Sequence, residues 1–99
     1  MIGIIGGAGP FAGLDLLRKI LEQTAAQTDQ DHLAVVTVSR PNAIPDRTAF
    51  LLGERELNPA RPILEQLHQL EMLGAKVAGI PCNTAHAPPI MGVIEQELD

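Results

Sequence analysis

The sequence predicts an α/β fold, a three-layer α/β/α arrangement around a short parallel sheet built in the order βαβαβα. Three observations carry this expectation. Short apolar runs alternate with amphipathic stretches along the 99 residues, the pattern that places helices over a sheet. A glycine loop, Gly6-Gly7-Ala8-Gly9, follows the first run directly. The apolar residues are Leu, Ile, Val and Ala, with two Phe and neither Tyr nor Trp, a set that packs helix on sheet without large rings.

Ile2 to Ile5 reads as the first strand, and Pro10 stands where proline is welcome, in the first turn of a helix. Leu14, Leu17, Ile20, Leu21 and Ala25 continue at helical spacing, which predicts one apolar stripe to about residue 27. Leu33 to Val38 is a β-branched second strand. From Ser39 to Glu56 the chain carries Pro41, Pro45, Asn42, Asp46, Arg47 and Gly53, with at most one helical turn around Thr48 to Leu52. Connections this long in a compact α/β unit are uncommon and tend to be functional. Ala60, Ile63, Leu64, Leu67, Leu70 and Leu73 mark a second long helix that Gly74 can end. Val77 to Ile80 is expected as a buried third strand, and Pro88-Pro89 opens a last helix toward Leu98. Each helix returns the chain to start the next strand in the same direction, so the sheet is parallel. Three strands make a thin sheet with at least one edge unpaired, as in part of something larger.

The formal charge of −5, with no Lys/Arg cluster, argues against a nucleic-acid partner, whose phosphates draw on basic residues. No run of 18 apolar residues is present to span a membrane, and the amino terminus lacks the basic stretch of a signal peptide. A lone thiol without an export signal fits a cytoplasmic protein.

Cys82 is the only cysteine, so it is inert filler, a metal ligand, or a nucleophile or base. Thiols beside apolar strands are more often small buried hydrophobes than catalysts, but the neighbours of this one reverse the odds. In Pro81-Cys82-Asn83-Thr84-Ala85-His86 it follows a strand end, where ligands of open α/β sheets collect, and precedes a helix start, which favours thiolate. Asn83 and Thr84 offer an amide and a hydroxyl to a carboxylate, and Arg47 a bidentate partner. Gly9 in the first loop and Asn42 in the second would face the same crevice and complete the candidate substrate contacts. The glycine loop lacks both Gly-x-Gly-x-x-Gly spacing and a P-loop lysine, so it is a carboxylate loop or a plain tight turn. Asp46 is either paired with Arg47 or merely solvated. His86 reads as a helix cap, and His32 and His68 as surface residues. No His or Cys pair has metal spacing, so no metal is expected.

Four segments in register resemble the amino-terminal half of the aspartate/glutamate racemase family, and within it the aspartate racemases. They are Ile2 to Pro10, Asp29-Gln30-Asp31-His32, Ile44-Pro45-Asp46-Arg47-Thr48-Ala49, and Pro81 to His86. The resemblance implies a cofactor-independent amino-acid racemase of two similar α/β domains, with one cysteine from each on opposite sides of the substrate α-carbon. Cys82 would be the first of these, Asn83 and Thr84 would hold the substrate, and Arg47 would bind a carboxylate of aspartate or glutamate. Inversion needs a base on one face and an acid on the other, and one thiol cannot be both. On this reading residues 1–99 are the amino-terminal domain, half of a two-domain racemase fold, inactive until a carboxy-terminal half supplies a second cysteine. The family habit of dimers makes a homodimer a further expectation. Ala8 replaces a common methionine and Gly13 a common threonine of the relatives. The alternatives are a related hydantoin racemase or maleate isomerase-like enzyme, and a non-catalytic α/β remnant that binds or assembles.

Overall fold

A computed structural model describes residues 1–98 of the chain. Three parallel strands, β1 (Ile2–Ile5), β2 (Val35–Val38) and β3 (Val77–Gly79), form one sheet in the order β2-β1-β3. Ile2 is in register with Val35 on one side and Val77 on the other. The first strand is therefore the centre, and Ile4 and Ile5 are fully buried.

Helix α1 (Pro10–Gln23) covers one face of the sheet. It stops before residue 27, because the Thr24 hydroxyl donates to the Ile20 carbonyl at 2.6 Å and the Thr24 backbone turns extended. Its apolar stripe is only partly covered: Gly13 is its one buried residue, and Leu14 is 63% exposed. Gly13 is buried because the helix crosses the β1 loop at backbone distance. A Cβ there would stand 2.7 Å from Gly6 Cα, and one on Gly7 would stand 2.8 Å from the Arg40 backbone. The first loop is thus a close-packed turn, in which Gly7 is there for space and Gly9 for its positive φ.

On the opposite face lie α3 (Ala60–Met72) and α4 (Pro88–Glu97), which also pack on each other. Ile5, Ile63, Leu64, Leu70, Ile90 and Ile94 form the main core there. Pro62 is harmless in the first turn of α3, whose amides have no helical partner. Asn58 clasps the two helix starts: its Oδ1 accepts from Ala60 N–H at 2.9 Å and its Nδ2 donates to the Pro89 carbonyl at 3.0 Å. Gly74, at φ 103°, ends α3 in a left-handed turn, with Gly74 N–H donating to Glu71 and Ala75 N–H to Leu70.

The third strand corrects an expectation. It lies at the sheet edge and Val77 is 62% exposed, so the apolar run 76–80 is not a buried strand. Burial on both faces belongs to the central strand alone. The second strand is also shorter than its apolar run, beginning at Val35. A five-residue helix, α2 (Arg47–Leu51), fills the long connection. Asp29-Gln30-Asp31-His32 forms a tight turn closed by a capping box, with the Asp31 carboxylate accepting from Gln27 N–H and Thr28 N–H. These bonds hold the Asp31 carboxyl below the usual carboxylate range. His32 is half-buried rather than on the surface, whereas His68 is exposed. No helix among the described residues is long and apolar enough to cross a membrane.

Candidate active site

Beyond β3 the chain makes a turn around Pro81, in which Cys82 N–H donates back to the Ile80 carbonyl at 2.8 Å. Such three-residue turns need a central φ close to the one proline locks in. A single 3₁₀ turn, Thr84–His86, follows, and α4 begins only at Pro88. Cys82 does not, as expected, stand directly at a long helix start; local donors surround it instead.

The sulfur lies 3.3 Å from the Thr84 hydroxyl. Once the thiol is ionised only the hydroxyl can donate. Burial pushes the Cys82 thiol up, but the Thr84 hydroxyl, the Ala85 amide and the Arg47 guanidinium together outweigh it, and the thiol is held below its ordinary value. Of these contacts the one to Thr84 has full hydrogen-bond geometry; the Ala85 N–H acts as a nearby dipole and Arg47 as a nearby positive charge. Cys82 leans on the apolar core yet remains partly exposed.

Arg47 stands at the start of α2, which Asp46 caps. The Asp46 carboxylate caps α2 by accepting from Ala49 N–H at 3.1 Å, so it is neither a salt-bridge partner nor idle. This cap is legible as an Asp three residues before a helical amide. Helix α2 packs against the 3₁₀ turn Thr84–His86, and Arg47 is its first residue. The guanidinium makes one long bond, Nη1 to the Pro45 carbonyl at 3.4 Å, while its Nε is buried with no partner. Among the described residues it forms no salt bridge.

The other candidates divide. Gly9, at φ 115°, brings the first loop beside the cysteine loop, since a Cβ on it would lie 3.7 Å from the Pro81 carbonyl oxygen. Asn83 is exposed next to the thiol in sequence. Asn42 sits on the exposed turn Pro41–Ala43 and makes no side-chain hydrogen bond among the described residues. Its membership of one shared crevice with Cys82 has no contact behind it. A concavity of about 420 Å³ lined by Pro45, Asp46, Arg55, Glu56 and Leu57 opens beside Arg47 and does not include Cys82. Two participants escape sequence reasoning. The Ala85 amide carries no side-chain signal, and His86 does not cap α4 but turns back, its Nε2 lying 2.8 Å from the Ile80 carbonyl oxygen.

Residues 5–99 match the family model described as Asp/Glu/Hydantoin racemase. Among solved structures, Picrophilus torridus aspartate racemase superposes with a TM-score of 0.76 at 39% sequence identity, over 86% of this chain and 36% of that one. The chain thus spans little more than a third of the length of that solved relative. The match over nearly every residue, together with a thiol set in donors at a strand end, makes this chain a member of the Asp/Glu/hydantoin racemase family.

Proposed function

We propose that the chain supplies the Cys82 half-site of a cofactor-independent amino-acid racemase acting on aspartate or a close dicarboxylic relative. The observation that carries this reading is the sulfur of Cys82 held against the Thr84 hydroxyl with the unpaired Arg47 charge beside it. As a thiolate, Cys82 takes the α-proton onto sulfur, and the electron pair left on carbon delocalises into the substrate's own carboxylate. A second acid on the opposite face returns a proton, which inverts the centre. Arg47 binds a substrate carboxylate, a pairing its uncommitted guanidinium favours. Asn83, Thr84 and Gly9 line the approach, and Asn42 is the outlying member. The second acid belongs to a carboxy-terminal half, and residues 1–99 are the amino-terminal domain.

Two measurements test the reading. The purified 99-residue chain is expected to leave L-aspartate unracemised, and ready formation of the D-enantiomer refutes the half-site account. Cys82 is expected to be alkylated faster at neutral pH than a free model thiol, with aspartate protecting it. An ordinary rate without protection favours a non-catalytic module, and protection by a hydantoin or maleate but not aspartate moves the substrate within the family.

A further inference from the structure

We propose that His86 is a positioning residue for Cys82, its ring fastening the strand end to the 3₁₀ turn so that the sulfur stays against Thr84. The Ile80 carbonyl oxygen receives two donors, Cys82 N–H and His86 Nε2, each at 2.8 Å. Both lone pairs of that oxygen are therefore used, and residues 80, 82 and 86 converge on one atom. The bond across the Pro81 turn is short-range and bent by its small ring, so alone it restrains the loop weakly. The bond from His86 spans six residues and closes the loop that contains Cys82, Thr84 and the Ala85 amide. It sets the distance between the sulfur and the groups that stabilise its charge.

Other roles for His86 fit less well. No side chain caps α4, whose N-cap is Ala87. The ring is exposed at the border of a concavity with Ile80, Met91 and Ile94, so it contributes little to the core. A carbonyl only accepts, which requires the proton on Nε2. The fastening therefore acts through geometry.

This inference rests on the acid/base reading of Cys82, and the experiment separates the two. Alkylation rates of Cys82 against pH are measured for the 99-residue chain, for H86A and for H86Q, whose amide nitrogen can take the place of Nε2, with circular dichroism as a check of folding. In H86A the apparent thiol pKa is expected to rise and the neutral-pH rate to fall by about threefold or more, because less thiolate is present. H86Q is expected to recover most of that loss. A folded H86A with the parent's pH profile overturns the positioning role alone, as does a loss that H86Q does not repair. A parent chain with the rate of a free thiol overturns both readings. A second measurement needs no variant. Nitrogen NMR of the neutral imidazole is expected to show the Nε2–H tautomer, and an Nδ1–H tautomer overturns the proposal even if H86A does not fold.

Discussion

The two faces of the sheet are closed to different degrees. Under α3 and α4, Ile5, Ile63, Ile90 and Ile94 are fully buried, and each such side chain contributes about 1.5–3 kcal/mol. Under α1, Ile4 is buried but Leu14 stays largely in water and Leu21 is partly exposed, and an open groove of about 210 Å³ runs between α1 and Thr37. The candidate site belongs to the closed face: Cys82 packs on its core, and the chain leaving the thiol passes through the 3₁₀ turn Thr84–His86 into α4. The candidate thiol thus sits on the better-packed side. The same apolar periodicity produced both helices, so a stripe of leucines shows which side of a helix seeks cover and not whether cover is there.

The sharpest way to break this contrast is truncation on each side. Ile94→Ala on the closed face is expected to cost about 2–5 kcal/mol, and Leu14→Ala about 0.5 kcal/mol or less. Denaturant midpoints measure both, and comparable losses would show that α1 is as well buried as α4. Next comes the closest backbone approach of α1 to the sheet, at Gly13. Gly13→Ala forces a Cβ into the Gly6 backbone and is expected to cost about 1–3 kcal/mol. A neutral result would mean that α1 can lift from the sheet without loss.

A smaller effect follows the ionisation of the thiol. The folded chain releases the Cys82 proton at a lower pH than the unfolded chain, whose thiol is ordinary. Folding stability therefore rises as pH climbs from the folded value to the ordinary one, stays high above it, and is lost as pH falls back through the folded value. Cys82→Ser is expected to flatten this rise in pH-dependent unfolding curves; an unchanged rise would place its origin elsewhere. The smallest change concerns Gln66, buried in α3 with both amide atoms unpartnered. Gln66→Leu removes two unsatisfied groups, so it is expected to be neutral or to stabilise by about 1 kcal/mol. A clear destabilisation would reveal an amide partner such as bound water.

Much of the fold was readable because its signals are local. Pro10 and Pro88 do open helices, and Gly74 does end one. Asp46 shows the limit: its spacing to Ala49 permits a cap, but the neighbouring Arg47 equally permits an ion pair, and the position of α2 decides for the cap. The site was legible as a thiol with polar neighbours, because Thr84 is two residues away and proximity in sequence guarantees proximity in space. Arg47 lies 35 positions earlier in the chain, and only the packing of α2 on the 3₁₀ turn brings it to the sulfur.

Element order, helix punctuation and the place of the thiol after an apolar run were determined by the amino-acid sequence, since each follows from backbone propensity and side-chain period over a few residues. The tertiary structure alone decided that β1 is central and β3 an edge, that α1 is half covered, and that His86 turns back to Ile80. These depend on which distant surfaces meet, and a one-dimensional pattern records an element's need for a partner without naming the partner.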